Sequence, residues 1–455
     1  MKITVVGTGY LGATHAACLA YLGHDVLGVD ADATTVDTLS RGRAPFREPG
    51  LDDLLSTGIA LGRLRFTTSL ADAAAHARVH LLCVGTPQSA DSWAADTTAL
   101  DAVIDGLVPL LRGRHLIIGK STVPVGTAAR LGEGAATLAV PGTTVPVCWS
   151  PEFLREGHGV ADTLHPDRSV LGVPEDPEVA AGAEAIFREI WAAPLQHSPL
   201  VVTDLQTAEM VKLSANAFLA TTISFINAVA DLCDATGADV TTVSSVLGMD
   251  PRIGAGALTA GVGFGGGCLP KDLRSFGAAT AELDLPVAGE LFRAVDAVNR
   301  HSRRRLIGRA VDACGGCVMG TRIAVLGAAF KPGCDDVRDS PALAVAAGLR
   351  DAGAQVSVYD PVVSRGAGRD VDSVAEALRD AELVVVGTAW PQFRDIDPVE
   401  ARELVARPVL IDGTNSLSAR RWADAGWDYR GTGYPARSVA QVPGWKPAST
   451  ADTAN

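Results

Sequence analysis

One cysteine lies in a glycine-rich stretch of the chain. Residues 261–272 read G-V-G-F-G-G-G-C-L-P-K-D, with five glycines in the seven residues before Cys268 and with Lys271 and Asp272 shortly after it. A thiol near a cation can be held as a thiolate, which is the form that attacks a carbonyl carbon. A buried structural cysteine after a flexible loop is the ordinary alternative. The density of glycine, lysine and aspartate favours a nucleophile.

Two polar residues fall within a long helical pattern. From about Thr203 to Thr236 the sequence has no proline, and apolar residues recur at three- and four-residue spacing. This pattern predicts one long helix, or two joined by a slight bend. Lys212 and Asn216 are four residues apart and share one face. Both can donate hydrogen bonds to one oxygen, as an oxyanion site requires. A solvated polar edge is the alternative.

Two further segments are dense in polar groups. The segment S-T-V-P-V-G-T at 121–127 follows a strand, which places Ser121 and Thr122 at the carboxyl edge of a sheet, where ligands bind. The segment S-P-E-F-L-R-E-G at 150–157 places Glu152 and Glu156 four residues apart. We expect these acids to serve as a base and a cofactor contact, with ordinary surface acids as the alternative.

The N-terminal segment carries a dinucleotide-binding pattern. Gly7, Gly9 and Gly12 have the spacing G-x-G-x-x-G after the strand K-I-T-V-V, and Asp30 ends the next strand. These glycines permit a tight turn, a close approach to a pyrophosphate and close packing of helix on strand. The Asp30 carboxylate can accept both ribose hydroxyls and would repel a 2′-phosphate. NAD is therefore predicted rather than NADP; glycines that only make a turn are the alternative.

The elements that must position these residues form a repeated pattern. Residues 322–327 resemble 2–7, 355–360 resemble 25–30, and 382–389 resemble 80–87. The turn at 327–333 lacks G-x-G-x-x-G, so a second NAD site is less expected. The sequence predicts an α/β protein with two Rossmann-like, doubly wound parallel-sheet domains joined by a central long-helix domain. The predicted boundaries are 1–200 for the NAD-binding domain, 201–312 for the helical and dimerisation domain with the cysteine loop, 313–440 for the second Rossmann-like domain, and 441–455 for a disordered tail.

Composition excludes several classes of protein. The net charge of −13 argues against nucleic acid as a partner. No apolar stretch approaches eighteen residues, so no membrane span is predicted. The N-terminus resembles a strand and not a secretory signal, and the eight scattered cysteines indicate a reducing cytoplasm. No metal is predicted. The pair Cys314 and Cys317 would allow metal or redox chemistry, but a glycine loop is the favoured interpretation.

Nine ordered motifs together resemble the UDP-glucose/GDP-mannose dehydrogenase family, up to about residue 435. They are G-T-G-Y-L-G (7–12), E-P-G-L-D-D-L-L (48–55), V-G-T-P (84–87), S-T-V-P-V-G-T (121–127), P-E-F-L-R-E-G (151–157), P-D-R-S-V-L-G (166–172), K-L-S-A-N-A-F-L-A (212–220), G-F-G-G-G-C-L-P-K-D (263–272) and F-K-P-G-C-D-D-V-R-D-S-P (330–341). The resemblance implies an oxidoreductase with a sugar-nucleotide substrate, which would bind the 313–440 domain. It also implies a homodimer or a higher homo-oligomer.

The chemistry implied by the resemblance is a four-electron oxidation that uses two NAD per substrate. A sugar C6 alcohol becomes an aldehyde, Cys268 adds to it as a thiohemiacetal, and a second hydride transfer leaves a thioester that water hydrolyses to the uronate. Lys212 and Asn216 would steady the oxyanion. Asp272 and Thr122 would hold a water for proton transfer, and Glu152 would assist hydrolysis.

The resemblance also implies a set of binding residues. The cofactor side comprises Gly7, Gly9, Tyr10, Leu11, Gly12, Asp30, Val84, Gly85, Thr86, Ser121, Thr122, Glu156 and Arg338. The substrate side comprises Glu152, Phe153, Leu154, Arg155, Lys212, Asn216, Arg252, Gly263, Phe264, Gly265, Phe330 and Lys331. By the same matching, Glu156 would lie near the nicotinamide and Arg252 would reach substrate across a dimer interface.

Three positions depart from the family pattern: Ser150 replaces Asn, Gly267 replaces Ser, and Thr414 replaces an Arg expected to contact substrate. UDP-glucose is the favoured substrate. GDP-mannose, UDP-N-acetylmannosamine and UDP-N-acetylglucosamine stay open. Two further alternatives are a two-electron 3-hydroxyacid dehydrogenase, which needs no cysteine, and a non-catalytic nucleotide-binding protein.

Overall fold

The computed structural model describes residues 1–434. The tail predicted over 441–455 therefore lies outside the described residues. The described chain divides into two compact units. One comprises residues 1–217 and 271–289, and the other comprises 218–270 and the residues from 290 onward.

The first unit is built on an eight-stranded sheet. Its strands are β1 (Lys2–Val6), β2 (Asp25–Val29), β3 (Leu64–Thr67), β4 (Val79–Leu82), β5 (Leu116–Gly119), β6 (Val147–Trp149), β7 (Ser169–Val173) and β8 (Leu200–Asp204). Their order is β3-β2-β1-β4-β5-β6-β7-β8. Every neighbouring pair is parallel except β6 and β7, which are antiparallel. The order reverses between β1 and β4, which is the switch point where such sheets bind dinucleotides.

Helices cover both faces of this sheet. They are α1 (Tyr10–Tyr21), α2 (Ala33–Ser40), α3 (Leu51–Ala60), α4 (Leu70–His76), α5 (Thr98–Leu107), α6 (Thr127–Leu138), α7 (Gly159–Leu164) and α8 (Pro177–Ile190). Successive strand residues enter opposite cores: Val5 and Ile118 lie in one buried cluster, and Val6 and Ile117 lie in the other. This alternation confirms the predicted doubly wound domain.

Four helices follow in the middle of the chain: α9 (Leu205–Thr236), α10 (Val240–Gly248), α11 (Leu269–Glu282) and α12 (Pro286–Ala313). The first is one continuous helix, and Gly237, which follows it, has a φ of 77°. By length and composition alone α9 could cross a membrane, with 44% of its most apolar window buried. It also carries the buried polar residues Glu209, Lys212 and Asn216, which contact other protein groups. We therefore interpret the first half of α9, which carries these residues, as packed within the protein.

The second unit contains a five-stranded parallel sheet. Its strands are β9 (Arg322–Leu326), β10 (Gln355–Tyr359), β11 (Leu383–Val386), β12 (Val409–Asp412) and β13 (Asp428–Gly431). Its helices are α13 (Pro341–Asp351), α14 (Val374–Leu378), α15 (Pro391–Arg394), α16 (Pro398–Leu404) and α17 (Ala419–Asp424). The order β10-β9-β11-β12-β13 confirms a second doubly wound sheet, with fewer strands than the first.

Candidate active site

The glycine turn between β1 and α1 has the geometry of a dinucleotide-binding loop. Gly7 adopts a φ of +86°, and a Cβ there would lie 2.7 Å from Val84. A Cβ at Gly12 would collide with the Gly7 carbonyl, so helix and turn are in close contact. A Cβ at Gly9 would meet no atom within 4 Å. The backbone at the start of α1 is therefore open to an approaching anionic ligand.

Asp30 lies directly after β2, beside this turn. Its Oδ2 accepts hydrogen bonds from the Thr8 backbone N–H at 2.7 Å and from the Thr8 hydroxyl at 3.1 Å, and its Oδ1 accepts one from the Asp32 N–H at 3.0 Å. The residue remains partly exposed. Asp30 thus holds the turn in shape, and its Oδ1, which accepts a single hydrogen bond, retains lone-pair capacity for a ribose hydroxyl.

We predict that Asp30→Ala reduces the preference for NAD over NADP by about tenfold or more, because the change removes both a ribose acceptor and a charge that repels the 2′-phosphate. Steady-state kcat/KM for both cofactors measures this. Asp32→Ala, which removes a neighbouring exposed carboxylate, is the matched control. An unchanged preference in Asp30→Ala would show that the ribose contact is misplaced.

The second sheet carries an equivalent aspartate that is already fully engaged. Asp360 follows β10, is completely buried, and accepts hydrogen bonds from the N–H groups of Ala328 and Ala329 and from the Trp390 indole. The N–H groups of residues 362 and 363 supply two more donors. This carboxylate has no capacity left for a ribose.

A buried polar network joins α9 to the start of α11. Lys212 Nζ lies 3.5 Å from Asn216 Oδ1, and Asn216 Nδ2 donates to Asp272 Oδ2 at 2.6 Å. The other oxygen of Asp272 lies 2.6 Å from Lys271 Nζ. Asp272 is fully buried, and Lys212 and Asn216 are nearly so. The sequence predicted Lys212, Asn216 and Asp272 separately, and the fold brings them into contact.

The network continues toward the carboxyl ends of β4 and β5. Lys271 Nζ lies 3.5 Å from the Thr86 hydroxyl, which donates to the Thr122 carbonyl at 2.7 Å. Ser121 is buried, and its hydroxyl donates to the Val84 carbonyl at 2.7 Å. Thr122 itself is half-buried. Lys271 and Thr86 thus link Asp272 to the segment that carries Thr122.

The P-E-F-L-R-E-G segment presents its side chains to several partners. The Phe153 ring contacts two cations, with Arg168 at 4.2 Å and Lys212 Nζ at 5.3 Å from its centroid. Arg155 forms a bidentate pair with Asp162, with contacts of 2.7 and 3.0 Å. Of the other predicted residues nearby, Leu154 and Glu156 are half-buried, as are Leu11 and Val84, whereas Gly85 is exposed.

Tyr10 connects the glycine turn to this same segment. Its hydroxyl donates to the Glu48 carboxylate, and the Gly157 N–H donates to Tyr10 Oη at 2.7 Å and to Glu48 Oε2 at 2.8 Å. Burial, followed by the hydrogen bond to Glu48, raises the pKa of Tyr10, so the phenol stays neutral. Glu48 thereby fixes residues 156–157 against the cofactor turn.

The cysteine loop packs closely on residues 330–339 of the same unit. A Cβ at Gly265 would collide with the Asp339 carbonyl, and one at Gly266 would lie 2.7 Å from the Phe330 ring. The Gly266 N–H donates to the Arg338 carbonyl at 2.9 Å. Close contact with protein therefore requires glycine at positions 265 and 266.

Gly267, the departure from the family serine, lies against Arg338. A Cβ there would lie 2.5 Å from the guanidinium carbon, so a serine would displace that side chain. Cys268 follows, exposed, immediately before the first residue of α11. The start of a helix favours a negative charge and thus a thiolate.

The remaining predicted residues occupy the second unit. Asn299 makes two hydrogen bonds to the backbone of Phe264. Its Oδ1 accepts from the Phe264 N–H at 2.7 Å, and its Nδ2 donates to the Phe264 carbonyl at 3.0 Å. A Cβ at Gly263 would collide with Asn299. Lys331 Nζ lies 5.5 Å from the centroid of the adjacent Phe330 ring.

Two of the predicted arginines are held by aspartates two residues before them. Arg338 pairs with Asp336 at 2.6 Å, and Arg252, with 88% of its side chain exposed, pairs with Asp250 at 2.6 Å. Within residues 1–434, no group of three or more His, Cys, Asp or Glu side chains is placed to hold a metal.

Comparisons with known proteins cover each part of the chain in turn. Residues 1–191 match the NAD binding domain of the UDP-glucose/GDP-mannose dehydrogenase family, residues 206–301 match its central domain, and residues 324–419 match its UDP binding domain.

The chain belongs to the UDP-glucose/GDP-mannose dehydrogenase family. This membership confirms the predicted fold class and NAD as the cofactor. The chain is an NAD-dependent nucleotide-sugar dehydrogenase, which excludes the non-catalytic alternative.

Relatives of this dehydrogenase cover nearly its full length. The UDP-glucose 6-dehydrogenase of Rhizobium meliloti (strain 1021) is 39% identical over 442 residues, which are 96% of this chain and 100% of the relative. The solved UDP-glucose dehydrogenase of the hyperthermophilic archaeon Pyrobaculum islandicum is 34% identical, with a TM-score of 0.86 over 95% of this chain and 98% of that one. The UDP-D-ManNAc dehydrogenase of Pyrococcus horikoshii is 28% identical, with a TM-score of 0.84 over 96% and 100%.

Sequence reasoning missed four polar residues of this dehydrogenase. Lys120 and His15 contact Glu152, and Glu48 fixes Gly157. Glu209 accepts hydrogen bonds from the N–H groups of Gly126 and Ala128 at 2.6 and 2.7 Å, which holds the 121–127 segment against α9. A signal was present for Lys120, a cation that ends a buried strand directly before S-T-V-P-V-G-T. His15 is the one imidazole among the residues that follow Gly12 in α1.

Proposed function

We propose that the chain oxidises the C6 alcohol of UDP-glucose to the carboxylate of UDP-glucuronate, in two hydride transfers with a covalent intermediate on Cys268. The observation that carries the proposal is the buried Lys212–Asn216–Asp272 network, which supplies donors for an oxyanion in a chain of this family. The name of the 39%-identical Rhizobium meliloti relative supports glucose as the sugar.

The glycine turn fits the cofactor, because the space beside Gly9 is open and Asp30 is directed to the turn. We propose that Gly7, Gly9, Tyr10, Leu11, Gly12 and Asp30 hold NAD, together with Val84, Gly85, Thr86, Ser121, Thr122, Glu156 and Arg338. When bound, NAD accepts the hydride in each oxidation. The residues of the chain orient the sugar carbon and manage its protons.

The proposed first oxidation removes the C6–H as a hydride and the alcohol proton through a water held by Asp272 and Thr122. The Cys268 thiolate then forms a C–S bond to the aldehyde carbon. One N–H of the Asn216 amide donates to Asp272. The second N–H of that amide and the Lys212 ammonium donate to the resulting oxyanion. Loss of the second hydride gives the thioester. Water then forms the new C–O bond with Glu152 as the base, and the C–S electron pair returns to Cys268.

The proposed substrate contacts are Phe153, Leu154, Arg155, Arg252, Gly263, Phe264, Gly265, Phe330 and Lys331, beside Glu152, Lys212 and Asn216. Thr414 supplies no cation where the family has a substrate-contacting arginine, and its hydroxyl lies 2.8 Å from both Asp412 and Ser416. The identity of the sugar therefore has to be tested by assay. A panel of UDP-glucose, GDP-mannose, UDP-N-acetylmannosamine and UDP-N-acetylglucosamine, assayed by NADH formation, tests the choice. We expect the highest kcat/KM with UDP-glucose, and a higher value with any other member would overturn that assignment.

We propose a homodimer or higher homo-oligomer in the cytoplasm. Large apolar side chains on α9 support an interface, with Phe218 70%, Phe225 53% and Leu232 65% exposed. The eight cysteines, all within residues 1–434, form no disulfide, which suits a reducing compartment. We propose the functional divisions 1–200, 201–312 and 313–440, which the three matched segments support. Sedimentation as a monomer would overturn the oligomer.

A further inference from the structure

A buried ion pair with a histidine lies behind the P-E-F segment. Glu152 Oε2 lies 3.0 Å from Lys120 Nζ and 2.8 Å from His15 Nε2. Glu152 Oε1 accepts a hydrogen bond from the Phe153 N–H at 2.9 Å. The side chains of His15 and Lys120 are 1% and 5% exposed, whereas that of Glu152 is 15% exposed. The carboxylate is thus the one member of the cluster with access from outside.

The fold fixes both partners of the carboxylate. Lys120 follows β5, donates to the Ser150 hydroxyl at 3.3 Å, and lies 5.7 Å above the Trp191 ring centroid. His15 lies on α1 with its ring edge-on to the same tryptophan, at a centroid distance of 5.4 Å. The Trp191 ring is buried and packs against both side chains, which restricts their positions next to Glu152. Ser150, one of the departures from the family pattern, is part of this arrangement.

The charges of the cluster are fixed by its surroundings. Burial lowers the pKa of His15, so the imidazole is neutral and Lys120 is the charged partner of Glu152. Burial alone would raise the pKa of Glu152, but Lys120 and then His15 hold it well below its usual range. Burial raises the pKa of Cys18, on α1, and of Cys83, after β4, to about 12, so these thiols stay neutral.

The other nearby charge comes from Glu48. Its carboxylate acts on Cys18, as Glu152 does, and is itself bound by Tyr10 and the Gly157 N–H. Among the described groups, Lys120 is the one cation that contacts Glu152. Removal of its charge would leave a buried carboxylate whose remaining contacts, His15 and the Phe153 N–H, carry no charge, and such a carboxylate takes up a proton at higher pH.

We infer that Lys120 is a positioning residue for thioester hydrolysis: its ammonium holds the Glu152 carboxylate in place as an anion, ready to accept a proton from the attacking water. The inference rests on the proposed function, in which Glu152 is that base. In the step, water oxygen bonds to the acyl carbon, the C–S bond breaks, and its electron pair returns to Cys268. The proton goes to Glu152 and then to solvent through its exposed edge.

The test measures the loss of the thioester on Cys268 by quenched-flow and intact-protein mass spectrometry, after mixing enzyme, NAD and UDP-glucose between pH 6 and 9. We expect Lys120→Met to show an acid limb absent from the wild type, with hydrolysis about tenfold slower per pH unit below the shifted pKa of Glu152. Lys120→Arg, which keeps the charge, should retain the wild-type profile. Lys120→Gln carries the same test if the methionine variant does not fold.

The outcomes separate the inference from the proposed function. A Lys120→Met or Lys120→Gln profile parallel to the wild type, whether lowered uniformly or unchanged, would overturn the inference, because a merely structural role slows hydrolysis equally at every pH. Glu152→Gln is run alongside and should accumulate thioester at all pH values. Wild-type hydrolysis in Glu152→Gln would remove Glu152 as the base and overturn both claims. If Glu152→Gln hydrolyses the thioester slowly but the pH profile of Lys120→Met is parallel to that of the wild type, the role of Lys120 would be overturned and Glu152 would remain the base.

Discussion

Cys268→Ser is expected to abolish formation of the carboxylate, with a loss of about 10³-fold or more in turnover. A serine hydroxyl is a far weaker nucleophile than a thiolate unless a neighbouring base activates it, so the aldehyde would not be captured for the second oxidation. NAD affinity should change less than about twofold, since Cys268 lies outside residues 1–191, which match the NAD binding domain. Uronate and NADH are measured together with cofactor affinity by titration.

Cys317→Ser is the matched control, because Cys317 is also exposed but lies in the loop before β9. It should retain full activity. Complete turnover of sugar nucleotide to uronate by Cys268→Ser would end the covalent hypothesis. Loss of NAD affinity along with activity would instead indicate a structural defect in the variant.

Lys212→Met is expected to lower kcat by about 10²- to 10³-fold, with a much smaller change in KM. The Lys212 ammonium is the cation next to Asn216 in the buried network, whereas Lys271 contacts Asp272. Removal of the Lys212 ammonium takes away a preorganised donor that acts mainly when the oxyanion forms. Methionine keeps a similar side-chain length and removes only the charged group. Steady-state kinetics with UDP-glucose at saturating NAD separates the two constants.

Ser214→Ala provides the control for Lys212→Met, because Ser214 lies on the same helix but is exposed. Its kinetics should match the wild type. If Lys212→Met instead raised KM and left kcat unchanged, Lys212 would contribute to ground-state binding and not to oxyanion stabilisation. Thermal unfolding of both variants reports whether the buried substitution also disturbs α9.

The sequence was sufficient for the fold because its signals are local. Glycine spacing after a strand, the repeat of three strand patterns and the long apolar periodicity each depend on residues close in the chain. They correctly predicted both doubly wound sheets. For 203–236 they allowed one long helix or two joined by a bend, and the structure has one helix, Leu205–Thr236. The antiparallel pair of β6 and β7 was not predictable this way, since strand direction is set by the path of the connecting chain.

The site was predictable only where residues share one element. Lys212 and Asn216 are one helical turn apart, so their common face follows from spacing. The contact of His15 and Lys120 with Glu152 joins three distant segments, and no local pattern encodes it. Likewise, the pattern of Gly265 and its neighbours signals close approach but does not tell whether protein or ligand approaches, and here the Asp339 carbonyl does so.

The matched aspartates show the same limit. Asp30 and Asp360 end equivalent strands, yet Asp30 is partly exposed whereas Asp360 is buried and bound by five donors. The difference arises because Trp390 and the turn after β10 close over Asp360. The absence of G-x-G-x-x-G predicted that the second sheet binds something other than a dinucleotide, but only the fold gives the physical reason.

The most direct measurement is the amount of NADH formed per UDP-glucose consumed, with excess NAD and complete conversion. We predict about two NADH per UDP-glucose, because both oxidations occur before the sugar leaves the enzyme. A ratio of about one, with free aldehyde as product and Cys268→Ala still active, would mean a simple two-electron dehydrogenase and would contradict the covalent mechanism.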